Sequence, residues 1–268
     1  MMSKTKVIAF ANNKGGSGKT TTCSNVGCAM ALEGYKVLMI DGDMQMNLTI
    51  SYFDEEKALE FAQNGKTIHT AVKEEKDLSD FITHTGIDGL DIVPSSSLMS
   101  SIEFDLFSKW QRELVLTKCL EKICALGYYD YVLIDSPPTL GGWVMNIMCA
   151  SNYLIIPVEA SPWGLFGLAN MFEFCNQVQR INPKLQILGI AITKADERKK
   201  YFKQTFETLQ SLEGVKLFDT YIRVDSTVEW AQDSSRPVVD FKKTSRSAME
   251  YIQLTKEIID NVNRKELA

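Results

Sequence analysis

The sequence predicts an α/β fold: a doubly wound, mainly parallel sheet with helices on both faces. Three observations carry that prediction. Short, mostly apolar runs at 7–11, 37–40, 132–134, 153–158 and 186–192 read as strands buried on both faces, and helical stretches lie between them. A glycine-rich loop follows the first run and leads into a helix. Carboxylates close the runs at 37–40 and 132–134, at the strand ends where open parallel sheets bind their ligands.

The first strand, 7–11, runs into Lys14-Gly15-Gly16-Ser17-Gly18-Lys19-Thr20-Thr21, and small and apolar residues at 23–32 then suit a helix packed on a sheet. A polyphosphate has to approach the backbone closely to collect several N–H groups, and side chains at Gly15, Gly16 and Gly18 would block it. The helix N-terminus adds unpaired N–H groups and the positive end of its dipole. Lys19 would place a point charge on the β- and γ-phosphates, and the Thr20 hydroxyl suits a Mg²⁺ that bridges them. The general phosphate-loop pattern would put glycine at position 13. Asn13 stands there instead, and a second lysine, Lys14, heads the loop.

This loop resembles the deviant Walker A motif of the ParA/MinD family of P-loop ATPases. The resemblance implies ATP and Mg²⁺ as cofactors, held by the loop from Lys14 to Thr21. It gives Lys19 the phosphate duty within the chain, and it sends Lys14 across a homodimer interface to the partner's nucleotide. Most of the family has Val or Thr where this chain has Ser17.

The second strand, 37–40, ends in Asp41-Gly42-Asp43-Met44-Gln45-Met46-Asn47. This is similar to the family's Asp-x-Asp-Pro-Gln-Gly-Asn, with Met44 for the proline and Met46 for the glycine. The resemblance implies that Asp43 orients the attacking water and that Asp41 supports the magnesium shell. From 51 to 84 the chain is charged and weakly periodic and reads as solvated helix faces. His69 and His84, the only histidines, have no metal-ligand companion at useful spacing.

A short strand at 90–94 and a helix over 100–124 are expected next. The strand 132–134 then ends in Asp135-Ser136-Pro137-Pro138, a Walker B arrangement in which the acid holds magnesium. Pro137 and Pro138 deny the strand further pairing and start a loop that can sense the γ-phosphate. Gly141-Gly142 and a helix over 143–150 lead to the strand 153–158. Its tail, 159–168, is similar to the family segment that flanks the dimer interface. The strand 186–192 ends in Thr193-Lys194-Ala195-Asp196. The resemblance places this turn beside the adenine and makes Thr193 and Asp196 cofactor candidates, although a plain helix-starting turn explains them equally.

Basic residues return late, before an amphipathic helix over 248–262. In the family, this region binds DNA without sequence preference, which nominates Arg223, Lys242, Lys243 and Arg246; an ordinary solvated surface explains the same charges. The formal net charge of −5 argues against a protein coated in positive charge, so any DNA contact has to be local and salt-sensitive.

A hydrophobic fraction of 45% over 268 residues, with no linker, repeat or low-complexity tract, suits one ATPase domain spanning 1–268. No run reaches the roughly 18 apolar residues of a membrane span, and the N-terminus carries no signal-peptide pattern, so a cytoplasmic protein is expected. The six cysteines contain no Cys-x-x-Cys pair and read as reduced core thiols rather than cluster ligands.

The resemblance implies a short, ParA/Soj-like, nucleoid-associated partition ATPase without an N-terminal DNA-binding extension, released from DNA when a ParB-like adaptor stimulates hydrolysis. One alternative is a MinD-like, membrane-associated division regulator, but the tail 261–268 offers few bulky apolar residues to insert. Another is a metabolic ligase on the same scaffold, which would turn over ATP without any effect of DNA.

Overall fold

The computed structural model describes residues 5–161 and 163–267. Seven strands form one sheet: β1 (Lys6–Phe10), β2 (Val37–Asp41), β3 (Thr83–His84), β4 (Leu90–Val93), β5 (Tyr131–Asp135), β6 (Tyr153–Glu159) and β7 (Gln186–Thr193). Their order is β3-β4-β2-β5-β1-β6-β7, and only the short edge strand β3 runs antiparallel to its neighbour. The expected strands are all present.

Side chains alternate across the sheet and feed two cores. Val7, Ala9, Leu38, Ile40, Val132 and Ile134 face one layer, while Ile8, Phe10, Val37, Met39, Tyr131 and Leu133 face the other. The first layer is covered by α4 (Ile68–Glu74), α5 (Ile102–Phe107), α6 (Val115–Leu126), α7 (Gly142–Cys149), α8 (Leu168–Gln179) and α9 (Lys200–Gln210). The second is covered by α1 (Lys19–Leu32), α11 (Val238–Phe241) and α12 (Arg246–Leu267), while α2 (Asn47–Ile50), α3 (Glu55–Gln63) and α10 (Ser226–Asp233) complete the helices. Both faces are therefore buried, which is why the strands read as unbroken apolar runs.

Two expected helices differ from the observed ones. The helix expected over 100–124 is broken into α5, an irregular stretch and α6. Tertiary bonds override the periodicity here. Both Glu103 carboxylate oxygens accept N–H groups at the start of α7, from Gly142 and Trp143 at 3.0 Å each. Asn146 binds the Arg112 carbonyl at 2.7 Å, and Gln111 turns the chain through a left-handed φ of 51°. The C-terminal helix α12 overshoots its expected bounds at both ends. Its last turns are tied to the sheet by a Lys265 to Gln186 hydrogen bond of 2.9 Å and a Lys6–Glu266 ion pair.

None of the six cysteines is joined in a disulfide among the described residues, and all but the half-buried Cys124 are buried. Among the described residues no group of three His, Cys, Asp or Glu side chains is placed to hold a metal. His69 is buried against Asp105 and Ser101, and His84 pairs with Asp91. No helix among the described residues is long and apolar enough to cross a membrane.

Candidate nucleotide site

The sheet brings three strand ends together. Phe10, Asp135 and Asp41 lie side by side in register on β1, β5 and β2, so two fully buried carboxylates stand on one side of the loop after β1. That loop turns through left-handed φ values of 74° at Gly16 and 84° at Gly18, which glycine adopts at no steric cost. A Cβ on Gly18 would come within 3.1 Å of the Thr193 methyl, while one on Gly15 would meet nothing within 4 Å. The loop is thus packed from behind and open in front.

In front lies a cavity of about 490 Å³ lined by Gly15, Gly16, Gly18, Lys19, Thr20, Thr21, Asp43, Gln45 and Pro138 among others. Lys19 is 94% buried by its 6% exposure, and its ammonium donates to the Lys14 carbonyl at 3.2 Å. Burial pulls its pKa down, and the charges of Asp135 and Asp43 work against that pull. The Thr20 hydroxyl donates to Asp135 Oδ2 at 2.7 Å. Burial, and then the neighbouring Asp41, push the Asp135 carboxyl well above the ordinary carboxylate range.

The site has unmet polar capacity where a ligand belongs. Asp135 Oδ1 and Ser17 Oγ are buried without a hydrogen-bond partner. A divalent cation held by Thr20 and Asp135 would satisfy the free carboxylate oxygen. The residues present therefore fit a magnesium nucleotide, with Thr20 and Asp135 as the groups to hold the ion.

Asp41 has a different setting. Its Oδ2 accepts the Thr49 N–H at 2.8 Å and the Thr49 hydroxyl at 2.7 Å, and its Oδ1 accepts the Asp43 N–H at 3.2 Å. Burial lifts its pKa to about 6, although the Thr49 and Asp43 bonds oppose the rise. Asp41, like Asp135, does not line the cavity, but whereas Asp135 bonds to the lining Thr20 hydroxyl, Asp41 spends both oxygens on the loop after β2. It holds the 42–49 loop in place, and Asp43, which does line the cavity, is thereby presented to it.

Met46, standing where the family pattern has glycine, keeps a left-handed φ of 55°, so the loop path survives the substitution at the cost of a strained residue. Thr49, which sequence reasoning passed over, anchors this loop again through a 3.0 Å bond from the Ser95 N–H.

Lys14 is not among the cavity-lining residues. Its ammonium donates to Glu159 Oε2 at 2.6 Å and to Ser161 Oγ at 2.9 Å, on the segment after β6. Pro162, in that same segment, lies outside the described residues.

A second cavity of about 310 Å³ adjoins the first across Gly18 and Thr21 and is lined by Thr193, Lys194, Arg223, Asp225, Glu229 and Gln232 among others. Thr193 lines it while its hydroxyl holds the Ser17 carbonyl at 2.8 Å. Asp196 lines neither cavity: it is clasped by Arg198 at 2.8 and 2.9 Å, which holds its pKa down at about 2. Gln232 was not legible as a site residue, yet it borders both cavities and donates to the Thr21 hydroxyl at 3.2 Å.

The four basic candidates divide into two pairs. Arg223 is bound by Glu250 and Glu197, and Arg246 donates to the Val224 carbonyl and lies 3.9 Å from Glu250. Lys242 and Lys243 are exposed and have no side-chain hydrogen bond or ion pair among the described residues.

The family model described as "AAA domain" matches residues 5–187. The chromosome partitioning protein ParA of Caulobacter vibrioides is 32% identical over 95% of this chain and 94% of its own length. The sporulation initiation inhibitor protein Soj of Bacillus subtilis is 32% identical over 96% of this chain and 99% of its own. Among solved structures, the cobyrinic acid a,c-diamide synthase of Mycobacterium smegmatis with bound ADP and magnesium superposes with a TM-score of 0.80 at 25% identity, covering 94% of this chain and 93% of the synthase. With the deviant phosphate loop, the Thr20–Asp135 pair and partition proteins matching over nearly the full length, the chain belongs to the ParA/MinD family of P-loop ATPases, as a ParA/Soj-like partition ATPase.

Proposed function

We propose that the protein is an ATP-driven DNA-segregation switch: it closes into a homodimer on Mg-ATP, binds DNA without sequence preference, and is released when a ParB-like adaptor stimulates hydrolysis to ADP and phosphate. Its cargo would be a plasmid or a chromosome origin. The whole chain acts as one ATPase unit, localised to the nucleoid through its DNA contacts.

One observation carries this reading. The two loop lysines have separate settings: Lys19 is buried in the phosphate cavity, whereas Lys14 is turned out of it toward the 159–161 segment. A lysine outside its own cavity is not committed to its own chain's phosphates.

The residues then divide the work. The loop N–H groups and Lys19 bind and orient the phosphates, and Thr20 and Asp135 hold magnesium, which when bound neutralises charge on the phosphate oxygens. Asp43, at the cavity wall, positions the water, and Asp41 holds Asp43 through the loop it anchors. Lys14 stabilises the partner's phosphates in trans, which makes hydrolysis depend on dimerisation. Lys242 and Lys243, unpaired and exposed, supply the DNA phosphate contacts more readily than Arg223 and Arg246, which are neutralised by Glu250 and Glu197.

The test is DNA retention across a salt series with ATP, ADP or no nucleotide. The reading predicts retention that requires ATP and weakens steeply with salt. Equal retention in all three states, or none in any, refutes it.

A further inference from the structure

The contact that holds Lys14 in its own chain has consequences for when it can leave. Glu159 and Lys14 form an ion pair at 2.6 Å with side chains only 26% and 23% exposed, and Ser161 takes a second proton of the same ammonium at 2.9 Å. Both ends of this contact are fixed. The Lys14 N–H donates to Asn12 Oδ1 at 3.0 Å, and Asn12 in turn donates to the Pro157 carbonyl at 2.6 Å, which ties the head of the loop to β6. The segment carrying Glu159 is folded tightly onto the same residues: Gly167 takes a left-handed φ of 86°, and a side chain there would collide with Asn13.

We propose that Glu159 is a positioning residue that keeps Lys14 folded back on its own chain, so that the contact in trans forms only when a partner's triphosphate displaces the carboxylate. The inference rests on the dimer reading above and deepens it. An ammonium has three protons, and this one has committed two of them to Glu159 and Ser161. A carboxylate beside it also repels an approaching phosphate, so the clasp disfavours the closed state both by holding the lysine and by opposing the anion.

Lys194 is the group that can receive Glu159 once Lys14 departs. It stands beside the loop, with its ammonium 3.8 Å from where a Gly16 Cβ would be, and it has no hydrogen bond or ion pair among the described residues. Burial pushes the Glu159 pKa up, but the Lys14 bond and charge, with Lys194 adding to them, more than offset that and hold the carboxyl below its ordinary value. The anion is therefore present at neutral pH and has a second cation within electrostatic reach.

A clasp of this exposure is worth about a two- to fivefold factor. A two-fold dimer opens two of them, so removing the clasp is expected to raise the dimerisation constant about four- to twenty-five-fold. The experiment compares the wild type with Glu159→Gln and Ser161→Ala in two measurements. Sedimentation velocity across a protein series with saturating Mg-ATP reads dimerisation. Limited acetylation of the nucleotide-free protein, followed by mass spectrometry, reads the accessibility of Lys14.

The proposal predicts faster Lys14 acetylation and dimerisation at lower protein concentration in Glu159→Gln, with a smaller shift of the same sign in Ser161→Ala. Should Glu159→Gln fail to fold, the Ser161→Ala shift decides alone. A wild type that dimerises while the variants show unchanged Lys14 reactivity, or unchanged or weaker dimerisation, overturns the proposal and leaves the dimer reading standing. A wild type that stays monomeric with ATP overturns the dimer reading, and the trans role of the clasp with it.

Discussion

Asp135→Asn separates what the buried carboxylates do for the ligand from what they do to the fold. Asp135 and Asp41 are neighbours across the β2–β5 pair, both fully buried, and the Lys19 charge acts on Asp135. Burial, and then the charge of Asp41, penalise the ionised Asp135 carboxyl. Asparagine at 135 has the same shape, can still accept the 2.7 Å Thr20 bond, and removes one of the two charges.

The substitution is therefore expected to stabilise the nucleotide-free protein at pH 7 by about 1–3 kcal/mol, or roughly 2–4 °C per kcal/mol in melting temperature for a chain of this size. The sign follows from linkage. The Asp135 carboxyl, its folded pKa raised, costs stability above that pKa, and the cost fades as pH falls from it toward the ordinary carboxylate value, so the gain shrinks in acid. Magnesium-dependent nucleotide affinity moves the other way and falls by about a hundredfold or more, because the free Oδ1 no longer belongs to an anion. Denaturant melts at pH 7 and pH 5, paired with calorimetric titration of ATP with and without magnesium, read both effects. A variant that is less stable without nucleotide and binds Mg-ATP as the wild type does refutes the assignment of Asp135.

Three further outcomes follow from the same geometry. Met46→Gly relieves a left-handed residue and is expected to raise stability by about 0.5–1 kcal/mol in urea melts, with ATP binding retained. Asp225 caps α10 through the Thr227 N–H at 2.9 Å and reaches the Ser247 N–H of α12 at 3.2 Å, so Asp225→Ala should cost about 1–2 kcal/mol. Burial raises the Asp225 pKa, but these bonds outweigh it and hold it at about 2; its stabilising share is complete above the unfolded value near 4 and is lost as pH falls through about 2. Replacing Lys242 and Lys243 together by alanine should reduce the slope of log affinity for DNA against log salt by about two per protomer, whereas Arg223→Ala should change it by less than one.

The phosphate loop and the strand-end acids were legible because their chemistry is local. Buried parallel strands must be apolar throughout, so 7–11, 37–40 and 132–134 could be found without knowing their order, and the loop glycines follow directly from one of them. What escaped was set by residues distant in sequence. The break in the helix expected over 100–124 depends on Glu103 of α5 binding the start of α7 and on Asn146 of α7 binding the Arg112 carbonyl, and no periodicity encodes that. Thr49 and Gln232 carry no motif of their own, and Glu159 stood out only as part of the 159–168 segment; the three acquire their roles from Asp41, Thr21 and Lys14 beside them. The basic residues looked alike in sequence, and only the fold distinguishes the arginines that share Glu250 from the lysines that do not.

The trans role of Lys14 is tested most directly by sedimentation velocity of Lys14→Ala beside the wild type at saturating Mg-ATP, with nucleotide occupancy measured on the same samples. Since Lys14 lies outside its own cavity, the variant should bind ATP within a few-fold of the wild type and remain a monomer at concentrations where the wild type is a dimer. A variant that dimerises with ATP as readily as the wild type contradicts it.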